Sequence, residues 1–190
     1  MQLDYQHSLN ILKNSECICT ESDLTQAVSR IAKQIEQEII GEIPVFLSVM
    51  NGGMFFGANL LQKISGPFFS DYIHASRYGD ETFGSSHITW YRQPKVEEIR
   101  GKVVYILDDI LDEGHTLAEI KRFLINAGVK MCKLVVLIDK NIGKAKPVTA
   151  DYVGLVAPNR YLFGYGMDIY GLYRQLPNIY AYNQVDSNDS

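Results

Sequence analysis

The chain has 190 residues, of which 46% are hydrophobic, and it carries a formal net charge of −4. This length suits one domain with a sizeable core. The negative balance argues against a nucleic-acid groove as the main site, although a local nest of backbone N–H groups would still bind a phosphorylated small molecule.

The first residues, "MQLDYQHSLN", are neither basic nor continuously apolar, so we expect no signal peptide. No apolar run approaches the roughly 20 residues that span a bilayer, so we expect no membrane association. The cysteines are odd in number, and Cys17 and Cys19 are too close in sequence for a relaxed disulfide, with Cys132 far away. This usage favours buried or inert thiols in a reduced, cytoplasmic protein.

The first elements are a helix, a strand and a glycine loop. A capping-box pattern at residues 20–23 and apolar residues at helical spacing predict a helix over residues 24–39. The run "VFLSVM" predicts a buried strand, and "NGG" predicts a tight loop before a short helix over residues 54–64. Two glycines directly after a strand let backbone N–H groups approach a ligand closely, although a plain turn explains the same pattern.

A polar segment follows the next predicted strand, which covers residues 68–75. Residues 76–86, "SRYGDETFGSS", are polar and glycine-bearing and have about the length of an active-site flap. The alternation in "HITWY" predicts a further strand after them. The segment at residues 76–86 is therefore predicted to be a lid or a solvated hairpin loop.

The stretch "VVYILDDILDEGHTL", residues 103–117, changes character within one residue. Its apolar beginning predicts a strand over residues 103–107 that is buried on both faces. Asp108 and Asp109 begin an acidic loop, and apolar residues at helical spacing continue to residue 127. In open α/β sheets ligands bind at the carboxyl ends of the strands, so this loop is a candidate site.

The groups in the loop indicate the ligand. Gly114, His115 and Thr116 are expected at a helix N-terminus, where unpaired N–H groups and the dipole bind an anion. The neighbouring carboxylates would repel a phosphate unless they face sugar hydroxyls or a divalent cation. A ligand with a phosphate, a ribose and Mg²⁺ accounts for every group in the loop.

A second strand, residues 133–138, is followed by Asp139 and Lys140. A lone lysine after a strand is usually solvated. We expect Lys140 to share the sheet edge with Asp108 and Asp112, because the carboxyl ends of parallel strands meet there.

The stretch at residues 103–117 closely resembles the phosphoribosyl-pyrophosphate signature of the purine phosphoribosyltransferases. The chain is similar to the hypoxanthine-guanine phosphoribosyltransferase family over about residues 40–180. The resemblance implies an α/β fold of type I, with a mostly parallel central sheet flanked by helices. It also implies one domain over residues 1–190, with a small hood from about residues 1–20 and 151–185 and a flexible lid at about residues 76–86.

The resemblance implies a role for each matching residue. The catalytic residue would be Asp112, as proton acceptor at the purine N7 or as electrostatic partner of the protonated base. The ribose and its phosphates would be bound by Asp108, Asp109, Asp112, Glu113, Gly114, His115 and Thr116. Pyrophosphate would be bound by Asn51, Gly52 and Arg174, and the purine by Lys140, Tyr161, Leu162 and Asp168. Mg²⁺ would be held by Asp108, Asp109 and Asp168.

Two positions depart from the family pattern. The family often carries lysine where this chain has Asn51, which leaves the backbone contact but not a charged side-chain contact. The lid of the family carries a Ser-Tyr pair, where this chain has Arg77 and Tyr78.

The implied reaction is phosphoribosyl transfer from 5-phosphoribosyl 1-pyrophosphate to N9 of hypoxanthine and/or guanine, with Mg²⁺ as cofactor. Its partners would be these small molecules, with no nucleic acid and no membrane. Tyrosine-rich surfaces would suit a homodimer or homotetramer. Two alternatives stay open: a xanthine- or pyrimidine-specific enzyme of the same class, and a phosphoribosyl-pyrophosphate-sensing regulator that binds nucleic acid.

Overall fold

The computed structural model describes residues 4–77 and 88–183. Within them the helices are α1 (Tyr5–Lys13), α2 (Glu21–Glu38), α3 (Gly53–Leu61), α4 (Val96–Ile99) and α5 (His115–Asn126). The strands are β1 (Ser15–Cys19), β2 (Val45–Met50), β3 (Phe69–Arg77), β4 (Ile88–Arg92), β5 (Val103–Leu111), β6 (Met131–Asn141), β7 (Tyr152–Pro158), β8 (Tyr161–Phe163) and β9 (Ile179–Tyr182).

A six-stranded sheet with the order β4-β3-β2-β5-β6-β7 forms the centre of the molecule. Its neighbouring strands are parallel except for β4, which pairs antiparallel with β3. The predicted α/β fold with a mostly parallel sheet is therefore confirmed. No helix among the described residues combines the length and apolar character needed to cross a membrane.

Helices cover both faces of this sheet because its buried strands present apolar side chains on both sides. Phe46, Tyr105 and Leu107 belong to a core cluster that they share with α2 and α3. Their strand neighbours Leu47 and Ile106 belong to a second cluster, which they share with α5. The alternation places adjacent residues of one strand in different cores.

Helix α2 begins as its sequence pattern predicts. The Thr20 backbone N–H donates to Asp23 Oδ2 at 2.9 Å, and the Asp23 N–H donates to Thr20 Oγ1 at 3.3 Å. These reciprocal bonds satisfy donors that a helix N-terminus otherwise leaves unpaired. The apolar face of α2 is fully buried at Leu24, Val28 and Ile31.

A second, three-stranded sheet has the order β1-β9-β8 and is antiparallel. It joins a strand from the N-terminal part of the chain to two strands from the C-terminal part. Leu162, Ile179 and Ala181 pack into the core that contains α2. Phe163 packs with Ile11 of α1 in a separate cluster. Neither α1 nor β1 was predicted from the sequence.

The predicted acidic loop begins later than expected, because β5 continues through Leu111 and only Asp112 to Gly114 lie between it and α5. Strand β5 loses β2 as a neighbour after Leu107, but its pairing with β6 continues through Leu111. Asp108 and Asp109 therefore lie within β5. For the same reason Lys140 lies within β6, because β7 pairs with that strand as far as Asn141.

The strand order reverses between β2 and β5. From β2 the chain moves to β3 on one side, and from β5 it moves through β6 to β7 on the other. Such a switch point opens a crevice outside the carboxyl ends of the strands, and ligands of α/β proteins bind there.

Candidate functional site

A cleft of about 540 Å³ occupies this switch point. It lies at the carboxyl ends of β2, β5 and β6, and residues of β8 and of the loop between β8 and β9 form its opposite side. The lining residues are Val49, Met50, Gly52, Ala75, Asp108, Asp109, Ile110, Asp112, Glu113, Gly114, His115, Thr116, Leu117, Lys140, Tyr161, Leu162, Met167, Asp168 and Arg174.

Most side chains and glycines that the sequence singled out therefore meet in one place. Asn51 does not line the cleft and is exposed beside it. Arg77 ends β3, while Tyr78 and the rest of the predicted lid through residue 86 lie outside the described residues, as does residue 87. The lining residues that we did not predict, such as Val49 and Met167, are apolar, and nothing in the sequence separates them from core residues.

The N-terminus of α5 faces the cleft without a capping side chain. Gly114 is the N-cap and has φ = 83°, a conformation that glycine adopts without strain. His115 and Thr116 lie in the first turn of the helix, and Gly114 has no side chain with which to cap it. A helix N-terminus of this kind presents N–H groups and a positive dipole end to an anion.

Two adjacent carboxyl groups lie in the floor of the cleft. Asp109 is only 6% exposed, and its backbone N–H donates to Asp108 Oδ1 at 3.0 Å. Burial raises the pKa of Asp109 to about 6, and burial together with the neighbouring Asp109 charge raises the pKa of Asp108. Both acids thus keep a proton to higher pH than a free aspartic acid does, and a positive charge brought by a ligand would favour their ionisation.

The backbone around Gly52 approaches Asp109 closely. The loop follows a cis peptide bond between Met50 and Asn51. A Cβ on Gly52 would lie 2.1 Å from Asp109 Oδ2, and a Cβ on Gly166 would lie 2.2 Å from the Gly52 carbonyl oxygen. Glycine is therefore required at both positions for β5, the Gly52 loop and the loop between β8 and β9 to meet.

We expect Gly52→Ala to lower the free energy of unfolding by about 1–3 kcal/mol, because the added methyl group must displace the Asp109 carboxylate. The matched control is Gly66→Ala, whose Cβ would have no atom within 4 Å. Thermal unfolding of the two variants measures the difference. Equal melting temperatures would show that the loop relaxes without cost.

Lys140 and Asp112 form an ion pair at the centre of the cleft. Lys140 Nζ donates to Asp112 Oδ2 at 2.8 Å, with the lysine side chain 12% exposed and the aspartate side chain 47% exposed. Tyr161, at the start of β8, is half exposed at the cleft edge, and the next residue, Leu162, is buried. A flat ring between Tyr161 and the Lys140 ammonium would find both a stacking surface and a donor.

A second ion pair lies on the opposite side of the cleft. Arg174 Nη2 is 2.5 Å from Asp168 Oδ1, and Arg174 Nη1 donates to the Gly166 carbonyl oxygen at 2.6 Å. The other Asp168 oxygen accepts from the Gly171 N–H at 2.7 Å. These bonds brace the loop after β8. Each side chain of the pair is still 30% exposed and available to a ligand.

The described residues do not form a metal cage. No group of three or more His, Cys, Asp or Glu side chains within residues 4–77 and 88–183 is placed to hold an ion. Mg²⁺ does not need such a group, since it usually takes one or two carboxylates together with water and substrate phosphates. Asp108 or Asp168 beside a bound pyrophosphate fits this donor set.

Comparison with known proteins agrees with the geometry. The model of the phosphoribosyl transferase domain matches residues 20–169. The bifunctional protein TilS/HprT of Listeria innocua is 32% identical over 85% of this chain, but the chain spans only 25% of that protein.

Two further relatives are matched over nearly their whole length. The hypoxanthine-guanine phosphoribosyltransferase of Aquifex aeolicus is 33% identical, with 88% of this chain and 94% of that protein covered. The crystal structure of a hypoxanthine-guanine phosphoribosyltransferase from Bacillus anthracis superposes with a TM-score of 0.79 at 32% identity, covering 88% of this chain and 98% of that chain. The family that the central stretch predicts is thereby confirmed, and the chain belongs to the phosphoribosyltransferases.

Proposed function

We propose that the chain transfers a 5-phosphoribosyl group from 5-phosphoribosyl 1-pyrophosphate to N9 of hypoxanthine or guanine and releases pyrophosphate. The observation that carries this proposal is that one cleft combines an uncapped helix N-terminus, carboxylates and a lysine beside an exposed tyrosine. These groups match a phosphate, a ribose and a 6-oxopurine in turn. The names of the relatives from A. aeolicus and B. anthracis support the same substrates.

The phosphate and ribose would lie along β5 and α5. The first-turn N–H groups of α5 and the Thr116 hydroxyl would donate to the 5-phosphate. Asp108, Asp109, Asp112 and Glu113 are the carboxylates of this region, and carboxylates accept from sugar hydroxyls. The backbone of the Gly52 loop and the Arg174 guanidinium would contact the pyrophosphate. Asn51 would contribute its backbone only.

The purine would lie between Tyr161 and Lys140. Tyr161 offers its ring for stacking, and Lys140 would donate to the oxygen at position 6 of the base. The Leu162 backbone, which β9 holds in register with Ala181, would contact the edge of the base. Asp168 closes this side of the cleft.

The chemistry would consist largely of positioning and charge stabilisation. The bond between the ribose C1 atom and pyrophosphate breaks with the electron pair leaving on pyrophosphate, and N9 of the base forms the new bond to C1. Asp112 would accept the proton that the base loses at N7, or would stabilise the protonated base. Because Asp112 is paired with Lys140 at 2.8 Å, base recognition and proton acceptance occur on adjoining groups.

Mg²⁺ would be held by Asp108, Asp109 or Asp168 together with the pyrophosphate. When bound, it would neutralise charge that develops on the leaving group. Without it, the acidic residues of the cleft would repel a polyphosphate.

Turnover is expected to require Mg²⁺ and to be lost on thorough chelation. Pyrophosphate release with and without a chelator, followed by restoration with added Mg²⁺, measures this dependence. Full activity in the metal-free protein would contradict the proposal that the acids serve a cation.

The proposal is tested by steady-state turnover with phosphoribosyl pyrophosphate and each of hypoxanthine, guanine, xanthine, adenine and uracil. We expect the first two to be substrates. Xanthine is a further candidate, because a relative from Tritrichomonas foetus is named hypoxanthine-guanine-xanthine phosphoribosyltransferase. Turnover of uracil alone would replace the purine proposal with a pyrimidine one.

We also propose that the chain forms a homodimer or homotetramer in the cytoplasm. Exposed aromatic side chains such as Tyr72, Tyr91 and Tyr170 are of the type that is enriched in protein interfaces. The free thiols of Cys17, Cys19 and Cys132 suit a reducing compartment.

A further inference from the structure

Lys146 is a largely buried lysine beside the ends of β5 and β6. Its side chain is 11% exposed. Its ammonium donates to the carbonyl oxygens of Leu111 and Lys140, each at 2.7 Å. It also donates to Asp139 Oδ1 at 2.6 Å. An ammonium group has three N–H donors, so these three acceptors satisfy it completely.

The three acceptors lie where β5 and β6 separate. Leu111 and Asp139 are the last residues paired between the two strands. Asp112 follows Leu111, and Lys140 follows Asp139, so the ion pair of the cleft stands directly beyond the end of the ladder. Lys146 supplies hydrogen bonds to both strands at the point where their mutual backbone bonds stop.

The segment that carries Lys146 is itself fixed. Val148 is 9% exposed and packs in the core beside α5. A Cβ on Gly114 would lie 3.2 Å from Val148 Cγ1 and 3.7 Å from Lys146 Cβ, so this segment also contacts the N-cap of α5. Lys144 is different, since its side chain is 64% exposed and pairs with Glu113 on the surface.

Building on the proposed function, we propose that Lys146 is a positioning residue for the phosphoribosyl transfer. It does not touch the substrate. It fixes the backbone on either side of the Asp112–Lys140 pair and so sets the distance between the proton acceptor and the donor that recognises the purine. Losing it would let the ends of β5 and β6 move apart.

The test is Lys146→Met, which keeps most of the stem and removes the three donors. We expect kcat/KM for hypoxanthine to fall by about 10- to 100-fold, the scale of a misplaced reacting group. The KM for phosphoribosyl pyrophosphate should change less than about threefold, because the α5 N-terminus is not held by this ammonium. Preference for hypoxanthine over adenine should fall as well.

Lys133→Met is the matched control. Lys133 lies near the other end of β6, is 27% exposed, and bridges Glu38 at 3.6 Å and Asp151 at 3.4 Å. The Lys133→Met substitution makes the same chemical change at another partly buried, ion-paired lysine. Lys133 belongs to β6 but does not line the cleft. We expect its kinetic constants to match wild type, whatever its melting temperature.

The double variant Lys146→Met with Lys140→Met shows whether one residue acts through the other. We expect its hypoxanthine preference to equal that of Lys140→Met alone, because coupled residues are not additive. Should Lys146→Met fail to fold, Asp139→Asn, which leaves both carbonyl acceptors in place, is expected to move the same constants in the same direction by a smaller factor.

The outcomes separate this inference from the proposed function. A wild-type protein that turns over none of the bases overturns the function itself. An active wild type whose Lys146→Met variant behaves like Lys133→Met overturns the positioning role, as does a folded Asp139→Asn variant with unchanged kinetics. Equal losses with every base and with phosphoribosyl pyrophosphate would indicate general destabilisation and would also overturn it.

Discussion

Asp112→Asn is expected to lower turnover by about 10²-fold or more, which is the scale of general acid–base catalysis. The substitution keeps the shape of the side chain and removes its charge and its capacity to take a proton. Asp112 is the residue for which we expect this loss because it lines the cleft and pairs with Lys140 at 2.8 Å. The amide would still accept a hydrogen bond from the lysine, so the fold should be unaffected.

Single-turnover measurements with saturating substrates isolate the chemical step for this variant. Glu119→Gln makes the same charge change on α5, where Glu119 pairs with Arg122 outside the cleft, and should leave turnover unaltered. A rate for Asp112→Asn within about threefold of wild type would remove Asp112 from the proton-transfer role, given the usual size of such effects.

Lys140→Met is expected to abolish the distinction between 6-oxopurines and adenine. The wild-type ammonium is a donor only, so it pairs with a carbonyl oxygen at position 6 and finds no acceptor on a 6-amino group. Asp112 accepts from one N–H of the ammonium, and with adenine bound the N–H group that faces position 6 would have no acceptor. A site that leaves a largely buried donor without an acceptor rejects the wrong substrate strongly, and we expect discrimination of about 10³-fold or more in wild type. The 12% exposure of the lysine side chain supports a contribution of this size.

The measurement is kcat/KM with hypoxanthine, guanine and adenine for wild type and Lys140→Met. Lys140 cannot rank guanine against hypoxanthine, because both carry the 6-oxo group. Efficient use of adenine by the wild-type protein would refute the purine assignment. A variant with wild-type preference would move the recognition role to another residue.

Much of the central sheet follows from patterns that the sequence displays openly. Continuous apolar runs identified β2, β5 and β6, and the pair Thr20 and Asp23 identified the start of α2. The predicted ends of β5 and β6 were wrong, because acidic and basic residues normally end a buried strand. In this protein Asp108 pairs with β6 and Lys140 pairs with β7, so both residues remain within their strands. Pairing between segments that are distant in sequence cannot be predicted from the local pattern.

The residues that line the cleft could be predicted where they lie together in one segment of the sequence, as Asp112 and Gly114 do. Lys146 was not recognised, since a lysine before a proline resembles any solvated loop residue. Its three acceptors come from the ends of two strands that only the fold brings together. The close contacts among Gly52, Gly166 and Asp109 could not be predicted from the sequence for the same reason.

The strand order of the second sheet has a consequence for how the protein is synthesised. Strand β9 lies between β1 and β8, so neither outer strand has its sheet partner until residues 179–182 exist. The part of the cleft from β2 through β6, which we propose binds the phosphates, is complete by Asn141. At translation rates of about 5–20 residues per second, a nascent chain would spend a few seconds with β2 through β6 synthesised and the second sheet still incomplete. Completion of the side of the cleft that includes Tyr161 and Leu162 is thereby tied to the synthesis of residues 179–182.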